Sequence, residues 1–375
     1  MHSKFIITTL FTFATLYSYG QTFIDGKEDE VIKERPFQIS LVPGFGTSRG
    51  AKQGYVNRFS LNLFAGYEYG FHGVELGGFY NINKHNIKGA QFAGFGNTVG
   101  GDVYGAQFGG FVNTVKGKVK GVQGAGYLNI VSKEVQGAQL AGYMNLADSV
   151  KGLQAAGIIN VNRRNLDGTQ LAGIINVAKD VEGLQVSGLV NKAKHIKGTQ
   201  IGLINIADTV ERGATVGLLN IVKKGKHQLA VEHNEVMDVN LAFRSGTDRL
   251  YSVLFAGIQG KSDFLWSYGL GFGTEFKLKN HWSSNVEITS QSINPKEDHH
   301  EELNLLNRLS WNFNYQMASH LSISAGPAFN VYVTDVYDQE SGRYGDDIDM
   351  GSFYNETFSG TNVKMWIGYN ISVKF

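Results

Sequence analysis

The chain lacks several residue types, and each absence removes a class of protein. Its 375 residues include no cysteine, which excludes disulfides, thiol catalysis and thiolate metal sites. Lys and Arg number 34 and Asp and Glu 33, so no excess of positive charge points to nucleic acid. Beyond residue 20, no run of 18 apolar residues without a charge occurs, so a membrane-embedded form would have to use strands.

Residues 1–20 have the pattern of a secretory signal peptide. Met1–Lys4 is short and basic, Phe5–Tyr17 is apolar, and Ser18 and Gly20 place small residues at the −3 and −1 positions of a cleavage site. The alternative is an N-terminal membrane anchor, although so short a run rarely spans a hydrocarbon core of about 30 Å. We expect an exported protein whose mature chain begins with a loose, charged segment at 21–35.

Glycine is abundant, at 48 residues, and much of it belongs to a tandem repeat. A motif of 15 to 16 residues recurs ten times over 73–222, in the form Gly-x-Gln-x-x-Gly-x-x-Asn followed by a charged stretch. Two or more glycines in each copy and many β-branched residues favour strands over helices. Glu75 and Thr215 replace the Gln in the first and last copies, as is common at the ends of repeat arrays.

The repeats resemble the surface-repeat family of bacterial surface proteins, which carry this Gly-x-Gln-x-x-Gly-x-x-Asn motif in tandem. The resemblance covers residues 73–222 and implies export to the cell surface. It implies no catalytic residue.

One interpretation makes each repeat a membrane strand. In AQLAGYMNLA (138–147), alternation places Leu140 and Met144 on an apolar face and Gln139, Tyr143 and Asn145 on the other. Ten residues suit a tilted transmembrane strand, and the charged stretches suit turns. With one strand for each repeat, the sequence predicts an antiparallel transmembrane β-barrel of roughly 18–20 strands, wide enough for an aqueous lumen.

The alternative is a smaller barrel to which the repeats add a β-solenoid, with one repeat for each coil. The ninth and tenth copies, GTQIGLIN (198–205) and GATVGLLN (213–220), are one residue shorter beside the glycine. In a plain strand this deletion would turn Asn205 to the opposite face, whereas a glycine corner or a bulge would absorb it. We favour the larger barrel because both flanks resemble barrel strands.

The flanks are residues 36–72, which predict two strands (37–48 and 58–70) joined by a turn, and residues 223–375. In the second flank we expect strands at 236–245, 249–258, 264–277, 281–292, 303–316, 320–334 and 362–375. The alternation of Ile367, Tyr369, Ile371 and Val373 before Phe375 resembles the C-terminal signature of bacterial outer-membrane barrels. That resemblance implies that Phe375 is recognised by the barrel assembly machinery. Trp266, Trp282, Trp311, Trp366 and Tyr369 would form interfacial girdles or ordinary sheet packing.

The sequence therefore predicts an outer-membrane β-barrel surface protein, acting as a weakly selective passive pore or a scaffold in contact with outer-membrane lipid. The alternative is a surface-exposed β-solenoid that serves in binding or adhesion; neither function requires catalysis or a cofactor, and the ligand is unknown. Two clusters of metal-capable residues, DHHEE (298–302) and DDID (346–349), are interpreted as loops without metal. The candidate lumen-lining or ladder residues are Gln91, Gln107, Gln123, Gln139, Gln154, Gln170, Gln185, Gln200, Asn97, Asn113, Asn129, Asn145, Asn160, Asn176 and Asn191.

Overall fold

The computed structural model describes residues 33–47, 54–260, 264–295, 303–338, 342–345, 348 and 350–375. Within these ranges the regular elements are all β-strands, which confirms the all-β prediction. The chain divides into two compact units, residues 1–188 and 189–375. The signal-peptide prediction, most of the loose segment at 21–35 and the DHHEE cluster lie outside the described residues.

The first unit consists of short and long strands in alternation. In chain order they are β1 (Lys33–Val42), β2 (Phe45–Gly46), β3 (Tyr55–Asn62), β4 (Ala65–Glu68), β5 (Gly70–Gly77), β6 (Tyr80–Asn83), β7 (Ile87–Ala93), β8 (Gly96–Val99), β9 (Val103–Gly109), β10 (Val112–Val115), β11 (Val119–Ala125), β12 (Leu128–Val131), β13 (Glu134–Ala141), β14 (Met144–Ala147), β15 (Ser149–Ala156), β16 (Ile159–Asn162), β17 (Asn165–Ala172), β18 (Ile175–Val177) and β19 (Asp180–Ser187).

These strands form a β-solenoid in which one repeat is one coil. The odd-numbered strands from β3 to β19 lie side by side in one parallel sheet, and the even-numbered strands from β4 to β18 lie in a second. Neighbouring coils are in register, so that Gln139 lies opposite Gln123 on one side and Gln154 on the other. The prediction of an 18- to 20-stranded antiparallel barrel is therefore wrong for the repeats, because each repeat pairs with an identical neighbour in parallel.

The ten-residue membrane strand proposed for each repeat is interrupted by a corner. β13 ends at Ala141 and β14 begins at Met144, so Gly142 and Tyr143 turn the chain from one sheet to the other. A Cβ atom on Gly142 would lie 2.1 Å from the carbonyl oxygen of Gly126 in the preceding coil, which explains the glycine. The turn also moves Tyr143 away from the Gln face, so that its ring stacks on Tyr127 at 4.6 Å between centroids.

The N-terminal strands belong to the same solenoid rather than to a hairpin. β1 pairs with β3 in parallel, with Gln38 opposite Ser60, and β3 pairs with β5 in parallel. The expected hairpin between 37–48 and 58–70 is therefore not formed; the antiparallel pair in this flank joins β1 to the short β2, with Ser40 opposite Gly46, and β1 begins at Lys33, inside the segment predicted to be loose.

The second unit continues with coil strands and then changes to long antiparallel strands. They are β20 (Val190–Lys192), β21 (His195–Ile201), β22 (Ile204–Ala207), β23 (Thr209–Val216), β24 (Leu219–Val222), β25 (Lys226–Asn234), β26 (Val239–Gly246), β27 (Tyr251–Gln259), β28 (Leu265–Lys277), β29 (Trp282–Pro295), β30 (Asn304–Ala318), β31 (Leu321–Thr334), β32 (Tyr337–Asp338), β33 (Arg343–Tyr344), β34 (Tyr354–Phe358) and β35 (Thr361–Lys374).

The coils of this unit settle the question raised by the shortened repeats. Asn205 remains fully buried, and Asn191 Nδ2 donates to Asn205 Oδ1 at 3.0 Å. β21 ends at Ile201, so the missing residue comes out of the strand just before the Gly202 corner. The corner thus absorbs the deletion, and the repeats build about ten solenoid turns in all.

Eight antiparallel strands of the second unit close into a ring. β25 to β31 pair in sequence, β31 pairs with β35, and β35 pairs back with β25. This ring, formed by β25–β31 and β35, is the smaller barrel of the alternative prediction. Its strands agree with the expected ranges to within a few residues, except for β25, which the sequence analysis did not separate from the end of the repeats.

Candidate functional site

The candidate glutamines form a ladder inside the solenoid. Gln139 Nε2 donates to Gln123 Oε1 at 3.0 Å, and Gln139 Oε1 accepts from Gln154 Nε2 at 2.8 Å. Each ladder bond that joins successive glutamines runs from one coil to the preceding coil. Fully buried amides require such partners, and repetition supplies them between successive glutamines from Gln91 to Gln185. The buried glutamines are Gln91, Gln107, Gln123, Gln139, Gln154, Gln170, Gln185 and Gln200.

The candidate asparagines form a second ladder whose bonds run the other way, toward the following coil. Asn113 Nδ2 donates to Asn129 Oδ1 at 3.0 Å and also to the carbonyl oxygen of Gly124, next to the corner, at 2.6 Å. The structure thus places both series inside the coils, where they hold neighbouring coils and corners together. The buried asparagines are Asn97, Asn113, Asn129, Asn145, Asn160, Asn176 and Asn191.

Two buried carboxyl groups lie where the ladders reach the N-terminal coils. Glu75 accepts from Gln91 Nε2 at 2.6 Å and from Asn83 Nδ2 at 2.7 Å, so it supplies the acceptor with which the glutamine ladder ends. Glu68 accepts hydrogen bonds from Gln38, Ser60 and Asn57. Burial raises the pKa of Glu68, and burial together with the charge of Glu68 raises the pKa of Glu75 well above its ordinary value.

From Lys84 to Gly188, the charged residues of the repeat coils are confined to one edge. This range contains ten Lys and Arg and six Asp and Glu residues. All sixteen lie between the end of a short strand and the glycine that opens the next motif, a set of segments that we name the charged edge. The eleven residues from that glycine to the end of the next short strand, such as 137–147, carry no charge.

The surface away from the charged edge is apolar. A column of stacked rings follows the corners of successive coils, with centroid distances of 4.9 Å from Phe79 to Phe95 and 5.0 Å from Phe95 to Phe111. Beside it, a groove of about 1140 Å³ runs along the first unit, with a floor of Gly and Ala and a wall that includes Phe92 and Leu140. We name this surface the apolar face; it comprises the groove and the outward residues of both sheets between the glycine that opens each motif and the end of the next short strand.

The ring of the second unit has a charged interior. Arg244 is 1% exposed and donates to Glu287 Oε1 at 2.7 Å and to Glu232 Oε1 at 2.6 Å. Tyr251 donates to the same Glu287 oxygen at 2.7 Å, and Lys374 donates to Asn314 at 2.7 Å. These residues were not among the candidates predicted from the sequence; the available signal was a single charge in the middle of a strand, as in NLAFRSG (240–246).

One turn of the ring folds into its interior. Between β25 and β26, Glu235 accepts from Arg308 at 3.3 Å, from Asn330 at 2.9 Å and from Trp366 at 3.2 Å. The adjacent Val236 and Met237 are buried in an apolar cluster with Leu265, Ile293, Leu306, Tyr332, Ile348 and Trp366. A cavity of about 30 Å³ is found inside the ring, between Glu232 and Arg308, and it has room for about one water molecule.

The outward side of the ring is apolar and aromatic. Along β30, Leu309 and Trp311 are 49% and 55% exposed, whereas Arg308, Ser310 and Asn312, which alternate with them, are buried. Trp266, Trp282, Trp311 and Tyr369 are exposed, as an interfacial girdle requires. Trp366 is 2% exposed and bonds to Glu235, so it packs inside the ring and belongs to no girdle.

Within the described residues, no group of three His, Asp or Glu side chains is arranged to hold a metal ion. The DHHEE cluster and most of DDID lie outside those ranges. Across the same described part of the chain, no helix is long and apolar enough to cross a membrane. Comparison of the chain with protein-family models, curated proteins and solved structures gives no match.

Proposed function

We propose that the protein is an exported, membrane-anchored protein of the bacterial cell surface, in which the ring is the anchor and the solenoid is a binding module. The observation that carries this proposal is the polarity of the ring. Its strands alternate between apolar residues that face outward, such as Leu309, and polar residues that face inward, such as Asn312. This alternation in a closed antiparallel sheet is typical of proteins whose outer surface contacts lipid.

The filled interior supports a sealed anchor over a passive pore. Eight strands enclose a space that side chains can fill, whereas 18 to 20 strands would enclose water. Arg244, Glu287 and Lys374 occupy the middle of the ring, and the turn that contains Glu235 occupies one end. Of the two functions predicted from sequence, the solenoid binding protein therefore agrees better with the fold than a pore does.

The solenoid supports a binding role rather than catalysis. It offers a continuous apolar groove along the stacked coils, and its polar side chains are used inside. Long repeat surfaces commonly serve as extended binding platforms. The resemblance to the surface-repeat family, the signal-peptide pattern at 1–20 and the C-terminal pattern that ends at Phe375 are consistent with export to the outer membrane. Recognition of Phe375 by the barrel assembly machinery forms part of this proposal.

Membrane anchoring can be tested with the full chain refolded into phosphatidylcholine vesicles. We expect detergent-dependent extraction, a shift in gel mobility on boiling and no conductance in a planar bilayer. Leu309→Arg places a charge on the outward face of β30 and should lower folding stability by about 2–4 kcal/mol at the middle of the bilayer. Gln316→Arg, at the exposed end of the same strand, should cost about 0–1 kcal/mol.

These measurements separate the possible functions. A protein that stays in solution without detergent and tolerates Leu309→Arg as well as Gln316→Arg would contradict the anchor. Steady single-channel conductance would contradict the sealed ring and restore the pore.

A further inference from the structure

The half of each coil next to the corner has an inverted distribution of polarity that the binding role alone does not explain, whereas beside the charged edge the interior is apolar, with Val103 and Val119 0% exposed. Next to the corner, the interior holds two columns of amides that are 0% exposed, while Phe92, Leu140 and Leu171 on the outside are about 40% exposed. Water-soluble proteins rarely expose continuous apolar patches of more than a few hundred Å². Polar residues inside and apolar residues outside are expected where the solvent is hydrocarbon.

The backbone at the apolar corners also meets the requirement of a lipid environment, in which each polar group must be bonded internally. At one corner, the amides of Phe95 and Gly96 both donate to the carbonyl oxygen of Phe79, at 2.8 and 3.1 Å. The carbonyl of Phe108 beside the next corner accepts from Asn97 Nδ2 at 2.9 Å. The asparagine ladder therefore satisfies backbone groups just beneath the most apolar part of the surface.

The position of the charges limits how deeply each coil can enter a membrane. The charged edge ends at the glycine of each motif, and the long strand then runs without charge from Gly137 to the corner at Gly142. Five residues of strand cover about 16 Å. Half of a hydrocarbon core of about 30 Å is about 15 Å, so the uncharged part of a coil has the depth of one leaflet.

In the second unit, a coil already lies on the side of the ring that lipid would contact. Asn220 of the last coil donates through its backbone amide to Ser245 Oγ and through Nδ2 to Ser252 Oγ, both at 3.2 Å. Both serines alternate along their strands with the inward-facing Arg244 and Tyr251, so they lie on the outward surface of the ring. The coil buries them, in a place where the proposed anchor would otherwise meet hydrocarbon.

We propose that the apolar face of the solenoid is embedded in lipid hydrocarbon to the depth of one leaflet, with the charged edge at the membrane surface. The partner of the binding module is then the acyl chains of the membrane itself. This inference rests on the proposed membrane anchor, because the anchor holds the chain at a bilayer. The groove along the coils, with its floor of Gly and Ala, is a surface against which unbranched chains can pack.

The absence of cysteine allows a direct test with single spin labels in the full chain. Leu140→Cys and Leu171→Cys place labels on the apolar face, Lys151→Cys on the charged edge and Leu309→Cys on the outward face of the ring. Each protein is refolded into phosphatidylcholine vesicles, and folding is verified by the mobility shift on boiling. Collision rates are then measured with oxygen, which partitions into lipid, and with a water-soluble nickel chelate.

We expect labels at 140, 171 and 309 to collide with oxygen and to lose contact with the chelate, while the label at 151 keeps it. Chelate contact at 140 and 171, with lipid contact at 309, would overturn the embedded solenoid and leave the anchor intact. Chelate contact at 309 as well would overturn the anchor and the inference that rests on it. Screening of 140 and 171 from both reagents, with dipolar broadening between labels, would show that a second copy covers the face and would also overturn the inference.

Discussion

The solenoid and the ring both bury polar side chains, but these side chains find their partners in different ways. Both keep polar side chains inside and apolar side chains outside, but the solenoid uses neutral amides and the ring uses ion pairs. In the solenoid, Gln139 meets other glutamines above and below, because each coil repeats the last. In the ring no strand is a copy of its neighbour, so Arg244 needs the particular carboxylates of Glu232 and Glu287. In the solenoid, identical residues in successive coils therefore satisfy one another's hydrogen bonds. In the ring, a buried charge such as that of Arg244 needs a different residue of opposite charge.

The largest loss of stability is expected from removing the buried ion pairs of the ring. Arg244→Met leaves Glu287 and Glu232 buried without their cation and should destabilise the ring by about 3–5 kcal/mol. All four tryptophans lie in the ring, so their fluorescence during urea unfolding in vesicles follows this region. Arg212→Met, at an exposed position of the solenoid, is the matched control and should change stability by less than about 0.5 kcal/mol.

Adding Glu287→Gln to Arg244→Met should recover part of the loss, because one uncompensated charge is then removed. Equal stability of Arg244→Met and the control would show that the ion pairs do not hold the ring.

A smaller loss of stability is expected from interrupting the glutamine ladder of the solenoid. Gln139→Leu leaves the Gln123 oxygen without its ladder donor and the Gln154 amide without its acceptor. Each unpaired group costs about 1–3 kcal/mol, and burial of the leucine offsets part, so we expect a loss of about 2–3 kcal/mol. Because coils contact mainly their neighbours, faster hydrogen exchange should be confined to β11, β13 and β15.

Gln136→Leu is the matched control for the ladder, since Gln136 lies on the same strand and its amide bonds only to the nearby Glu134. We expect less than about 0.5 kcal/mol of destabilisation and no change in hydrogen exchange of the neighbouring coils. Similar exchange in both variants would mean that the ladder contributes little to coil cohesion.

The smallest effect concerns Glu75, where an ionisable carboxyl group replaces the amide of the glutamine ladder. The raised pKa of Glu75 means that the folded state binds its proton more tightly than the unfolded state. Stability from this group is therefore complete below its ordinary pKa of 4.5 and is lost as pH rises toward the raised value. Glu75→Gln should flatten the decline of unfolding free energy above pH 4.5. Asp167→Asn, on the charged edge, should leave the slope unchanged, and an unchanged slope in Glu75→Gln would contradict the buried, protonated carboxyl.

The sequence predicted the faces of the repeat better than its topology. Strands in a barrel and strands in a solenoid both alternate with a period of two, so Gln139 faces inward and Leu140 outward in either fold. The two folds differ at the corner, where Tyr143 turns outward, and in the direction of the neighbouring strand. The informative signals were the near-identity of the copies and the shorter spacing from Gln200 to Asn205, which a corner absorbs and a continuous strand does not.

The side-chain contacts inside the ring could not be predicted from the sequence in the same way. Arg244 and Glu287 are 43 residues apart, and their contact depends on which strands become neighbours after closure. A charge within an apolar strand indicates a buried partner without identifying it. The turn containing Glu235 likewise resembles an ordinary loop in sequence, and only closure of the ring brings Arg308, Asn330 and Trp366 around its carboxylate.

The opposite directions of the two amide ladders give the solenoid two chemically different ends. The glutamine ladder requires an acceptor at its start, which Glu75 supplies, and the asparagine ladder requires one at its finish, which Ser252 supplies. Stacked parallel coils with bare ends are templates for unlimited head-to-tail growth into fibres. Glu75 replaces the repeated glutamine and Ser252 lies outside the repeats, so neither ladder offers an end that a further copy of the motif could extend, and the length of the array is fixed by the chain.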